Sequence, residues 1–188
     1  GTIAGGENNK DADYSMADNE KGYVNYYEIL GLDPSAKPGE VWKVYRKKMK
    51  DLVFEIQNAE ITEERRAHYL LEMAKLNAAL YILSDKDSRE AYWRDREETM
   101  ALEETWRRKA NSPEADALRR QFDAKVRHFL SHYVEEAMLS AGRHKECVEA
   151  SGWDAAHERH ASRILRHYRH SLYQDILERL PYHEVTPP

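Results

Sequence analysis

Nine histidines and a single cysteine carry most of the chemistry this sequence has to offer. His128 and His132 stand four residues apart, which places both on one face of a helix, and Glu135 follows a turn later. His157 with His160, and His167 with His170, form pairs three residues apart. A closed zinc site needs about four ligands in a tetrahedron. Each helical pair supplies two, and His160 and His167 lie too far apart along a helix to share an ion. No metal and no cofactor is therefore expected, and the histidines read as surface residues flanking an apolar stripe. Cys147 sits beside Glu146 with no activating cation or base next to it in sequence. The chain has no glycine-rich phosphate loop, no nucleophile paired with a base and no acidic pair marked by spacing. Catalysis is not expected.

Positive charge offers a different kind of site. Arg46, Lys47, Lys48 and Lys50 form a basic cluster. It suits docking on an acidic partner surface, against the plainer reading of a solvated helix face. Arg159, Arg163 and Arg166 form a second basic stripe, with Arg169 and His170 nearby. It suits phosphate or an acidic subunit, but no aromatic residues interleave on that face, so nucleic-acid recognition is not expected. Trp42, Trp93, Trp106 and Trp153 read as core or interface anchors, since Trp and Tyr are enriched where proteins meet.

The elements that must hold these residues are helical. Charged residues make up 34% and hydrophobic ones 41% of 188 residues, with few Gly and Pro, a mixture that reads as helix-rich and soluble. The net charge of −5 arises within residues 1–98, the rest being balanced, and gives no reason to expect nucleic acid as a general partner. One cysteine excludes an internal disulfide and fits a reducing compartment. No apolar run approaches 18 residues, so no membrane span is expected. Gly1 stands where an initiating Met would, which suggests that a targeting peptide or a tag was removed upstream.

Residues 1–22 have little apolar content and read as a disordered or extended arm. Tyr26, Tyr27, Ile29 and Leu30 form a short apolar turn ended by Gly31. Pro38 suits the first turn of a second helix whose apolar face runs Val41, Trp42, Tyr45, Met49, Leu52, Val53 and Ile56. Thr62 suits the cap of a third helix, with Tyr69, Leu70, Met73, Leu76, Leu80 and Leu83 along one stripe. Ser84-Asp85 closes it and opens a fourth, largely polar helix through Trp106, expected to be exposed with a narrow inner stripe. Ala110-Asn111-Ser112-Pro113 marks a boundary, with Ser112 as the expected cap and Pro113 as the first residue of the next helix. Two long amphipathic helices follow, broken at Gly142 and Ser151-Gly152. They are expected to pair as an antiparallel hairpin on the front domain.

Val24-Asn25-Tyr26-Tyr27-Glu28-Ile29-Leu30-Gly31-Leu32, then Tyr45-Arg46-Lys47-Lys48, then Leu76-Asn77 to Leu83-Ser84-Asp85 with Arg89 and Tyr92, together resemble a J-domain. That module switches on the ATPase of the seventy-kilodalton heat-shock chaperones. The likeness covers residues 23–96. It implies an antiparallel pair of second and third helices, a loop between them presenting His-Pro-Asp, and a basic second helix docking on the chaperone. Counted from Tyr45, the tripeptide would fall near Val53, Phe54 and Glu55. No register restores it, because His68 is the only His between residues 24 and 98 and no Pro lies between Pro38 and Pro113. Without that proline the second helix is free to run on through Phe54 and Ile56.

The expectation is an all-α chain: an arm at 1–22, a J-domain-like helical domain at 23–109, a C-terminal long-helix hairpin at 113–180 and a tail at 181–188. Its expected role is that of a non-catalytic interaction module, an accessory or structural subunit of a larger assembly that does not stimulate a chaperone ATPase. The alternative is a chaperone-pathway regulator bound to the heat-shock chaperone through the basic second helix. Its expected home is an intracellular reducing compartment, mitochondrial or cytosolic.

Overall fold

The computed structural model describes residues 22–58 and 60–180. The expected arm, apart from Gly22, and the expected tail at 181–188 lie outside the described residues. Every regular element among the described residues is helical, so the chain is all-α.

Local chemistry sets most of the helix ends. Helix α1 (Tyr26–Leu30) is capped by Asn25, whose side chain accepts from the Tyr27 and Glu28 amides, and is closed by Gly31 in the left-handed region at φ 70°. Helix α2 (Pro38–Ile56) opens on its proline, where the missing N–H has no helical partner to lose. The Thr62 side chain caps α3 (Glu63–Leu83) and the Asp85 side chain caps α4 (Lys86–Arg108), as expected. Helix α5 (Ala115–Leu130) passes through a π-helical turn (Ser131–Glu136) into α6 (Ala137–Ala141). Helix α7 (Lys145–Ser151) ends on left-handed Gly152, and Asp154 with His157 forms a capping box for α8 (Ala155–Glu178).

The start of α5 differs from expectation. Ser112 does not cap it, because its hydroxyl turns back to donate to the Lys109 carbonyl at 2.7 Å. Residues 112–114 make a turn instead, and the helix begins at Ala115.

Helix α3 is the hub, packing against α1, α2, α4, α6, α7 and α8. The sequence shows a stripe there, but the structure buries Leu70, Met73, Ala74, Leu76, Asn77, Ala78, Ala79, Leu80, Ile82 and Leu83. A helix covered on every side needs apolar or small residues all round, and Ala74, Ala78 and Ala79 let neighbours approach closely. Helix α2 runs antiparallel to α3: the Tyr45 hydroxyl donates to Asn77 Oδ1 at 2.7 Å, and Lys48 and Leu52 share a cleft with Glu72 and Leu76. One hydrophobic cluster extends from Tyr23 to Leu180, including residues on both sides of the 109–114 turn.

Helix α4 has the expected narrow stripe, but its buried members are Tyr92, Arg96, Thr99, Glu103 and Trp106, three of them polar. Arg96 donates to the Tyr23 carbonyl at 3.2 Å and lies 5.1 Å from the Trp93 ring. The Tyr92 hydroxyl donates to the Val24 carbonyl at 2.5 Å and accepts from the Tyr26 amide at 3.1 Å. The Tyr26 hydroxyl donates in turn to the Tyr133 carbonyl inside the π-turn. The segment before α1 is thus tied to α4, and the first residue of α1 to the π-turn, by hydrogen bonds that satisfy buried backbone groups.

That attachment begins at Gly22, which has φ 97°, and a Cβ there would clash with Ile176 Cγ1 of α8. Gly22→Ala therefore adds both backbone strain and a clash, at a cost of about 1–3 kcal/mol. A thermal melt should show a fall in Tm of about 2–12 °C. An unchanged Tm would mean that the N-terminal segment is not held against α8.

Candidate interaction surface

Helix α2 continues unbroken through Val53, Phe54 and Glu55 to Ile56. Its inner face buries Val41, Tyr45 and Met49, and its outer face carries Lys43, Lys47, Lys50 and Phe54, all exposed. These four are spaced four, three and four residues apart, so they form one stripe along the helix. Phe54 is 76% exposed, and among the described residues the only other exposed large hydrophobic side chain is Tyr81 at 38%. An aromatic side chain held in solvent beside three ammonium groups is the least core-like feature of the described surface.

The four cations singled out from sequence do not act as one group. Lys47 and Lys50 belong to the outer stripe. Arg46 turns toward α7, its guanidinium 4.9 Å from the ring of half-buried Trp42. Lys48 lies on the opposite side, at a cleft with Ile29, Asp51, Leu52, Glu72 and Leu76.

Between α2 and α7 runs an open groove of about 580 Å³. Trp42, Arg46, Lys50 and Val53 line one side, and Glu146, Glu149 and Ala150 line the other. A buried polar network holds the two walls in place. Tyr45 of α2 donates to Asn77 of α3, whose Nδ2 reaches Ser151 Oγ at 3.4 Å. The Ser151 hydroxyl donates to the Cys147 carbonyl, and the Cys147 thiol donates to the Asn77 carbonyl at 3.6 Å. Cys147 and Ser151 thus face inward from α7, while Glu146 and Glu149 face out.

The other candidates are ordinary on inspection. Cys147 is fully buried, and burial pushes its thiol up to about 11, so it is a poor nucleophile and serves packing. His128 and His132 stack on each other with ring centres 5.6 Å apart, and His132 lies 3.1 Å from Glu136. His157 is occupied by its capping box and stacks on Trp153. No group of three or more His, Cys, Asp or Glu is placed to hold a metal ion among the described residues. Arg159, Arg163 and Arg166 all lie exposed on α8. Trp106 and Trp153 are buried in the core, whereas Trp42 and Trp93 are half-buried at the surface.

Sequence reasoning missed three members of this surface. It placed Phe54 at the site of an absent motif without anticipating its exposure, although the helical spacing from Lys47 and Lys50 contains that information. Glu146 and Glu149 carried no signal, because their role depends on where α7 packs. No helix among the described residues is long and apolar enough to cross a membrane. The chain matches no family model, and neither the curated proteins nor the solved structures with which it was compared yielded a match.

Proposed function

We propose that this chain is a non-catalytic, J-like interaction module that serves as an accessory subunit of a larger protein assembly and docks through the outer face of α2. The observation that carries this reading is the unbroken α2, which leaves Phe54 76% exposed beside Lys47 and Lys50. The succession of short α1, the antiparallel α2–α3 pair and α4 supports the J-like part, together with the sequence likeness at 23–96. With no turn between residues 53 and 55, nothing aims an acidic side chain as a His-Pro-Asp loop would. The site therefore lacks the part that stimulates a chaperone, and an aromatic residue stands in its place. Burying a Phe side chain is worth roughly 1.5–3 kcal/mol, enough to anchor an interface. The buried thiol fits a reducing compartment, mitochondrial or cytosolic.

A second reading keeps the heat-shock chaperone as the partner, bound but not stimulated, and rests on the exposure of Arg46, Lys47, Lys48 and Lys50. Stimulation of a chaperone's steady-state ATPase rate by the full chain would overturn both readings.

The test of docking is size fractionation of native extract. The wild-type chain should migrate in a particle well above its 22.1 kDa monomer mass. The exposed substitutions Phe54→Ala with Lys47→Glu and Lys50→Glu should weaken retention at least tenfold while moving Tm by no more than about 2 °C. A wild-type chain found only at monomer size would end the accessory-subunit reading.

A further inference from the structure

The α2–α7 groove has an unusual electrostatic form. Arg46 and Lys50 stand on one wall, and Glu146 and Glu149 on the other. No ion pair joins these walls among the described residues, so charges of opposite sign line opposite sides of an open groove. Between them the lining includes half-buried Trp42 and Val53, with Ala150 opposite. The Tyr45–Asn77–Ser151 network fixes the separation of the walls, so little ordering cost remains for a ligand to meet.

We infer that this groove receives an amphipathic helix of a partner protein, with an apolar seam bordered by acidic residues along one edge and basic residues along the other. This deepens the docking reading and rests on it. The seam would cover Trp42, Val53 and Ala150. The acidic edge would meet Arg46 and Lys50, and the basic edge would meet Glu146 and Glu149. A helix acidic on both edges would repel Glu146 and Glu149, and one basic on both would repel Arg46 and Lys50, so the groove selects by charge pattern as well as apolarity. Lys43, Lys47 and Phe54 lie just outside the α2 wall, where they extend the same contact. The occupant thus differs from a uniformly acidic surface, and half of its site is supplied by α7, outside the residues that resemble a J-domain.

The test is a displayed library of helical 18-residue peptides with a fixed Leu seam and with both edges randomised among Glu, Gln and Lys, selected on the full chain. Enrichment of peptides with Glu on one edge and Lys on the other is expected, from either edge assignment, since a helix can enter in two directions. Selection on the Glu146→Lys/Glu149→Lys variant, whose substitutions are exposed, should convert the preference to Glu on both edges. Affinity of a selected bipolar peptide should fall at least tenfold on that variant and on Arg46→Glu/Lys50→Glu. No enrichment, uniformly charged edges on the wild type, or a preference indifferent to the Glu146/Glu149 reversal would each overturn the inference. If the selection fails while the Phe54, Lys47 and Lys50 substitutions still release the chain from its assembly, docking stands and the groove is not its seat.

Discussion

Raising the pH above about 10 should unfold this chain steeply, with its buried tyrosines ionising as the helices melt rather than before. Tyr23, Tyr26 and Tyr92 are each no more than 1% exposed. Burial is the first cause that holds all three phenols well above the ordinary value of 10.0; the Glu103 charge adds to it at Tyr23, and neighbouring phenols add to it at Tyr26. Because the folded values lie above the unfolded one, the stability these groups carry is intact below pH 10. It is lost as pH climbs from there toward the folded values. Each fully buried phenol gives up roughly 1.4 kcal/mol by pH 11, about 4 kcal/mol for the three. That is a large share of the ~5–15 kcal/mol typical of a domain. Tyr45 and Tyr133, also raised chiefly by burial, act with the same sign. The Cys147 thiol, at about 11 against 9.0, begins the decline a unit earlier. Circular dichroism and tyrosinate absorbance recorded together from pH 8 to 12 should show the share of the absorbance that belongs to the buried tyrosines rising in step with the loss of helicity. Ionisation of every tyrosine with helicity intact would mean that these rings reach solvent in the folded chain.

The same residues show what was legible in the sequence. Caps and breaks are local, so Gly31, Pro38, Thr62 and Asp85 could be placed from neighbours a few residues away, and the all-α class followed from periodicity. The apolar stripe of α2 was legible for the same reason. What failed was any feature that depends on a distant neighbour. The C-terminal half of α3 looks like a one-sided helix until α6, α7 and α8 arrive to cover its other faces. Arg96 and Glu103 look like two more charges on a solvated helix, and only their partners at Tyr23 and Arg179 explain their burial. The candidate surface divides in the same way. Lys47, Lys50 and Phe54 share a helical spacing, so that half could be read in advance. The opposing wall could not, because it depends on the Asn77–Ser151 contact across 74 residues.

Replacing Glu103 with Ala should be among the most damaging single changes in the chain. Glu103 is 6% exposed and accepts from the Tyr23 hydroxyl at 2.6 Å and from Arg179 at 2.9 Å, with Arg107 3.9 Å away. One carboxylate therefore joins α4 to the segment entering α1 and to the residue that ends α8. Its removal takes one carboxylate away from the Arg179 guanidinium, whose side chain is 16% exposed, and leaves the Tyr23 hydroxyl without its Glu103 acceptor. Losing one member of a buried pair costs about 3–5 kcal/mol, more than the pair contributes over an apolar replacement of both. A thermal melt should show Tm falling by about 6–20 °C. Glu103→Gln keeps an acceptor for Tyr23 and should lose less, about 1–3 kcal/mol. The decisive variant is Glu103→Leu with Arg179→Met, which removes both charges and should return to within about 2 kcal/mol of wild type. If the double variant is instead as unstable as the two single losses added together, the stabilisation comes from separate contacts rather than from a coupled pair. If Glu103→Ala alone moves Tm by less than about 3 °C, the segment entering α1 and the end of α8 are not tied through this carboxylate.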